Sequence, residues 1–244
     1  MKVSIICVYN NEQALNTQLK ESLRIQNIEY ELVEVDNRSR RFNTAAEALN
    51  YGAQMSKGDV LLFVHQDVFF KDSDGVKKLV DFIERCKLGS IVGVAGAVAK
   101  SKENIGNYTT GSIYNEKMIN KFREIVSVDC IDEVAFGMTK STFALHEFDC
   151  NLCDNWHLYA VEMCLFQKKK GGKVYVYPIE IHHFSKGRIN LLYMKNFLKI
   201  ADFYRDDFKY IWTTCYKMKN TFIYTRFIFF CWIVNRVIRR KDLY

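Results

Sequence analysis

The sequence predicts an α/β fold, a sandwich built on a mostly parallel central sheet, followed by a helical C-terminal extension. Three observations carry this. Short apolar runs rich in branched and aromatic side chains recur through the first hundred residues, each too brief for a helix. Longer stretches with apolar residues at helical spacing separate them, and this alternation marks βαβ units with parallel strands covered on both faces. The third is a change of composition: residues 186–244 hold 13 Lys and Arg against 4 Asp and Glu, and the pattern from Asn190 onward is helical. The expected division is therefore a domain over residues 1–187 and a basic, aromatic-rich extension over 188–244.

Each element has its own signal. Val3–Val8 reads as the first strand. Asn10 and Asn11 then open a helix in which Leu15, Leu19 and Leu23 recur every fourth residue on one face. Tyr30–Val35 is a second strand ending in Asp36-Asn37-Arg38-Ser39. A second helix spans residues 43–55 and closes at Lys57-Gly58. Val60–Val64 is a buried parallel strand. Asp72-Ser73-Asp74 offers capping oxygens to a third helix carrying Val76, Leu79, Val80 and Ile83. Ile91–Val98 reads as one strand whose Gly and Ala residues permit close packing. Lys100–Arg123, mixed and polar, reads as a long loop with short elements. Val126–Ile131 and Glu133–Met138 suit short strands, and Trp156–Lys169 a helix ended by basic residues and Gly171-Gly172. Val174–Tyr177 and Ile179–Ile181 are strand-like and lead into His182-His183-Phe184-Ser185-Lys186-Gly187.

Composition sets bounds. With 244 residues, 49% hydrophobic and 26% charged, the chain has the make-up of a soluble globular protein and the length for one large α/β domain or a domain plus an extension. The formal charge of +7 resides in the last quarter, so it gives no ground for a nucleic-acid partner, and none is expected. The eight cysteines lack paired metal-ligand spacing. Cys150-x-x-Cys153 is a lone pair, and Cys7, Cys164 and Cys231 lie in apolar runs, as free thiols do in a reducing cytoplasm. The first apolar run lacks the length and cleavage site of a signal peptide.

Chemistry is most concentrated at Gly58–Val68. The apolar run Val60–Val64 stops at His65-Gln66-Asp67, polar residues placed just past the carboxyl end of a buried strand, where open α/β sheets bind ligands. One fixed carboxylate flanked by an imidazole and an amide can hold a divalent metal and the phosphates it bridges. The competing reading is a capped strand end with a solvated aspartate.

Taken together, Val3–Asn11, Val35–Ser39, Ala48–Gly52, Lys57-Gly58-Asp59, Phe63–Asp67, Trp156–Tyr159 and His182–Gly187 resemble, in order and spacing, the inverting family 2 glycosyltransferases of GT-A fold. The resemblance covers residues 1–187, and its His-Gln-Asp variant is similar to one bacterial branch. It implies a nucleotide-diphosphate sugar donor, a glycan or lipid-linked acceptor, and Mn²⁺ or Mg²⁺ as cofactor. By family position Tyr9 lies against the base, with Asn10 beside it. Asp36 bonds the nucleoside, and Asn50 faces the nucleotide from its helix. Asp67 matches the last acid of the family's D-x-D motif and is the metal ligand. His65 replaces the first acid and, with Gln66, turns to ribose or phosphate. A histidine is a poor ligand for Mg²⁺ and a fair one for Mn²⁺. His183 matches a late histidine that approaches the metal or diphosphate, while His182 points to the other side. Trp156, His157 and Tyr159 fall on the acceptor side.

One departure concerns the general base. Inversion needs a carboxylate to take the acceptor proton, and the family usually places an aspartate where this chain has Ala160. Asp154 in the preceding loop and Glu162 within the helix are the substitutes, with Asp154 favoured. The tail 220–241, apolar and aromatic next to clustered Arg and Lys, is too interrupted by charge to span a bilayer and suits an anionic membrane surface at the cytoplasmic face. Packing on the domain or on a homodimer partner is the alternative. The expected function is sugar transfer in surface polysaccharide synthesis. The alternatives are a non-catalytic sugar-nucleotide binding protein, motivated by Ala160, and a nucleotidyltransferase, which would carry a glycine-rich loop where Tyr9-Asn10-Asn11-Glu12 stands.

Overall fold

The computed structural model describes residues 2–98, 103–110, 117–118, 122–185 and 189–239. Its central sheet has seven strands in the order Tyr30–Asp36, Val3–Tyr9, Val60–Val64, Ala135–Thr139, Ile91–Gly93, Val174–Val176 and Val126–Ser127. Ala135–Thr139 and Val126–Ser127 run against the other five, so the sheet is mostly parallel, as expected. The inner strands are covered on both faces, which is why Val3–Tyr9 and Val60–Val64 read as continuous apolar runs, whereas the edge strand Tyr30–Asp36 is only partly buried and alternates. Leu61 and Phe63 face one apolar cluster, while Val60, Leu62 and Val64 face the other.

The helices form where the leucine and alanine spacing puts them. Residues 12–24 are helical throughout with a π turn at Leu15–Lys20, and Asn11 caps the start by accepting from Ala14 N–H at 3.1 Å. Leu15, Leu19 and Leu23 are all buried. The helix Ala45–Met55 opens on a reciprocal capping box, Thr44 Oγ1 taking the Glu47 N–H and Glu47 the Thr44 N–H. Gly52 lets it lie close to the sheet, since a Cβ there would stand 2.5 Å from Ile6 Cγ2. The third helix, Gly75–Arg85, is capped differently from expectation. Asp74 makes no side-chain cap; Asp72 holds the Asp74 N–H at 3.0 Å, and Gln26 Oε1 receives Val76 N–H at 3.0 Å.

A second sheet runs Cys130–Ile131, Ala95–Val98, Glu103–Thr110, Glu180–His183 and Val68–Phe70, with Lys117–Met118 paired to Glu103–Thr110. It corrects three expectations. Ile91–Val98 is not one strand: Val94 N–H turns to Ala135 O, and the chain crosses from one sheet to the other. Glu103–Thr110 is an eight-residue strand inside the stretch read as a loop. It pairs through its backbone on both sides, which an apolar pattern does not reveal. The rest of that stretch lies outside the described residues, apart from Lys117–Met118 and residues 122–123. The last strand also runs on through His182 and His183 rather than ending before them.

The extension shares the domain's core. Tyr193, Met194, Phe197 and Ile200 of the helix Leu191–Phe203 belong to the same buried cluster as Phe63 and Phe136, as do Ile211 and Met218 of a short hairpin. The last helix, Phe222–Ile238, turns Ile228, Phe229 and Trp232 toward that cluster and leaves Phe222, Ile223, Phe227 and Phe230 exposed. Among the described residues no helix is long and apolar enough to cross a membrane.

Candidate active site

A cleft of about 990 Å³ opens at the carboxyl ends of Val3–Tyr9 and Val60–Val64. Two sheet geometries assemble it. His65-Gln66-Asp67 bridges Val60–Val64 of the central sheet to Val68–Phe70 of the second. Val68–Phe70 pairs antiparallel with Glu180–His183, so that His183 stands opposite Val68, and Phe184 N–H bonds Asp67 O at 3.0 Å. Residues more than a hundred positions apart thereby meet. One donor atom each from His65, Asp67 and His183 falls within 4.8 Å of the others, which is about the 4–5 Å span of donors around one divalent ion.

The protonation states suit a cation. Burial pushes the Asp67 carboxyl up, but His183, whose Nε2 lies 3.3 Å from Asp67 Oδ1, and Ser185 outweigh it and hold the carboxyl well below the usual range. Burial, and then the neighbouring His183, push the His65 imidazole down, keeping it in the neutral form that can ligate. His65 Nε2 also lies 3.2 Å from the Tyr159 hydroxyl. His182 instead packs its ring edge-on against Phe184 at 4.1 Å.

The other residues expected at the site separate into two groups. Tyr9, Asn10, Gln66, Trp156 and Tyr159 line the cleft with His65 and Asp67. Gln66 Oε1 accepts the Asn10 and Asn11 N–H groups, each at 2.9 Å, and so fixes the loop after the first strand. His157 and His183 line an adjoining cavity of about 330 Å³. Asp36 lines neither cavity; its carboxylate grips the Arg38 guanidinium at 2.7 Å and is held down to about 2 by that contact. Arg38, not Asp36, lines the cleft, with its charge 5.6 Å from the Tyr9 ring centre.

The remaining three lie elsewhere. Asn50 clamps the backbone of Phe148, donating to its O at 2.9 Å and accepting its N–H at 3.0 Å, and is absent from the cleft lining. Asp154 is exposed and paired with Lys199 at 2.7 Å. Glu162 is not a helix-surface acid. It is fully buried, bonded by the Tyr204 hydroxyl at 2.6 Å and lying 3.1 Å from His146 Nε2. Neither acid expected to act as base borders either cavity. Asp154→Asn should therefore leave turnover unchanged and alter stability by no more than about 1 kcal/mol, the range of an exposed ion pair; a rate assay and a melting curve check this.

Sequence reasoning passed over several cleft residues, three of which bear on its chemistry. Arg38 and Arg40 bring positive charge to the cleft wall, and Glu133 borders both cavities. Arg38 was signalled by its place two residues after a strand-end aspartate. Glu133 stood in an Asp-Glu pair between apolar residues, a mark of a carboxylate near a core.

The chain resembles the crystal structure of GalNAc-T7 with UDP, GalNAc and Mn²⁺ at a TM-score of 0.63 and 15% identity, over 85% of this chain and 48% of that one. It resembles mannosyltransferase PcManGT from Pyrobaculum calidifontis in complex with GDP-Man and Mn²⁺ at a TM-score of 0.60 and 13% identity, over 85% of this chain and 65% of that one. The chain thus spans about half of the first and under two thirds of the second, and the likeness is one of GT-A fold. No curated protein matches it in sequence. The model of the glycosyltransferase-like family matches residues 4–209, most of the described core and every residue of the cleft, and the chain belongs to that family.

Proposed function

We propose that this protein transfers a sugar from a nucleotide-diphosphate donor to a hydroxyl of a glycan or lipid-linked acceptor, with inversion, in surface polysaccharide synthesis. The observation that carries the reading is the His65, Asp67 and His183 cluster where a cleft lined by Tyr9 and Arg38 meets the adjoining cavity. Tyr9 presents a ring to the nucleobase. Arg38, held by Asp36, presents a guanidinium to phosphate. His65, Asp67 and His183 would hold the divalent ion, Mn²⁺ in preference to Mg²⁺ because two of the three donors are imidazoles. When bound, such an ion neutralises the diphosphate oxygens and eases departure of the leaving group.

Titration calorimetry with UDP-GalNAc, UDP-glucose and GDP-mannose, each with Mn²⁺ and with chelator, tests the proposal. At least one should bind in the metal-dependent manner and release its nucleoside diphosphate on incubation. A protein that binds none of them, or binds equally well in chelator, is not the enzyme described. Binding without any release would favour the second reading, a sugar-nucleotide binding protein, for which Ala160 at the usual base position is the specific observation.

Support for work at the inner membrane face comes from the last helix, whose exposed Phe222, Ile223, Phe227 and Phe230 precede the basic run Arg236 to Lys241. The full chain should bind anionic phosphatidylserine vesicles in flotation and detach as salt rises past the ~8 Å screening regime of physiological ionic strength. Removal of residues 220–244 should abolish flotation. Salt-insensitive self-association in sedimentation, with no flotation, would assign the apolar face to a homodimer instead.

A further inference from the structure

The cleft contains acids besides Asp67, and most are already engaged. Glu12 pairs with Arg38. Asp132, on the wall of the adjoining cavity, accepts from the Thr214 hydroxyl at 2.7 Å and from Val134 N–H at 3.1 Å. Glu133 differs. It is half-buried and lines both cavities, a position it shares with His65, Trp156 and Ser185. One of its oxygens, Oε1, is shielded from solvent and has no hydrogen-bond partner among the described residues.

Its surroundings act on the carboxyl in both directions. The backbone N–H groups of Leu158, Ala160 and Tyr159, at the start of the helix Tyr159–Lys169, lie about the carboxylate. That helix has no side-chain cap of its own: the residue before it, Leu158, sits at φ 68° and supplies none. Position 160, where relatives usually carry the base, is thus an alanine whose N–H faces the carboxylate of Glu133. Burial, then Asp132, raise the Glu133 carboxyl to about 8 against the lowering pull of those N–H groups. A proton acceptor that titrates close to neutral pH is well matched to its task.

We infer that Glu133 is the catalytic base of this chain, a carboxylate moved from position 160 to the facing strand junction, and that the adjoining cavity admits the acceptor hydroxyl. The inference rests on the sugar-transfer reading above. As the hydroxyl oxygen forms its bond to the anomeric carbon, its proton passes to the Glu133 carboxylate. The bond from that carbon to the diphosphate oxygen breaks, and its electron pair leaves with the nucleoside diphosphate. Charge and atoms balance without a further reactant.

A purely structural role as a cap for the helix is the competing account, and Glu133→Gln separates the two. The amide keeps an oxygen to accept backbone N–H groups but cannot take a proton. Wild type, E133Q and E133A are compared with Mn²⁺ and UDP-GalNAc, UDP-glucose and GDP-mannose, following nucleoside diphosphate release to water and then to azide. The expected result for E133Q is a melting temperature no lower than wild type, unchanged donor affinity, and release to water slowed about 10²–10⁴-fold. Azide, which attacks without a proton to lose, should restore release in E133Q and E133A. E133Q releasing nucleotide at the wild-type rate overturns the inference. So does a loss that azide leaves unrestored and that follows a lowered melting temperature, which is capping alone. Wild type that binds donor but never releases nucleotide removes the reaction itself, and wild type that binds no donor removes the transfer reading, whatever Glu133 does.

Discussion

Asp67→Ala is expected to reduce Mn²⁺-dependent nucleotide affinity by at least about 100-fold, since losing groups that merely orient a metal's ligands already costs 10–100-fold. Asp67 supplies the anionic oxygen of a cluster otherwise made of two imidazoles, whose ring centres stand 5.6 Å apart. Without it the two histidines face each other with no charge to offset a cation. Asp67→Asn, which keeps the shape and removes the charge, should lose nearly as much. Fold should survive both changes, because the Asp67 backbone, not its side chain, holds Phe184 N–H. Calorimetry with UDP or GDP and Mn²⁺, beside melting curves of each variant, reads the two quantities separately. Unaltered metal-dependent affinity in Asp67→Ala would place the ion elsewhere.

Glu162→Ala should be the most damaging substitution for stability, at about 3–5 kcal/mol, the usual consequence of stripping one member from a buried bonded set. For a chain of this size that lowers the melting temperature by roughly 6–20 °C. The Tyr204 hydroxyl, donating at 2.6 Å, would lose its acceptor, as would His146, whose ring stacks on Phe166 at 3.7 Å. Because the three lie away from both cavities, Mn²⁺-dependent donor binding measured below the transition should match wild type. Glu162→Gln, which retains an acceptor, should lose less. A stable Glu162→Ala with slowed release would return this acid to the chemistry.

The outcome at Glu162 illustrates what a sequence conveys. Its place two residues after Ala160 suggested a substitute, yet its side chain is fully buried, where Tyr204 and His146 hold it. Asp154 was favoured for its place in the loop before the helix, but Lys199, from the extension, holds it. Neither fact is local. The inner strands Val3–Tyr9 and Val60–Val64 were legible because burial on both faces leaves an unbroken apolar run, and His65-Gln66-Asp67 because polarity interrupts one. Glu103–Thr110 was not, since backbone pairing on both sides asks little of side chains. Glu133 was overlooked because its significance depends on a helix start some 25 residues later.

The crossing of the chain between two sheets at His65-Gln66-Asp67 has a mechanical meaning. His65 follows a strand of one sheet, whereas Asp67 leads into the other and His183 belongs to it. A cation shared by the three would act as a rivet through the seam. Sliding of one sheet past the other would then change the size of the ligand cage together with the apolar clusters, each of which holds residues of both sheets. Affinity for the ion and resistance to parting of the sheets are consequently one equilibrium seen from two sides, and ion at about a hundred times its dissociation constant would clamp the seam by about 2.7 kcal/mol.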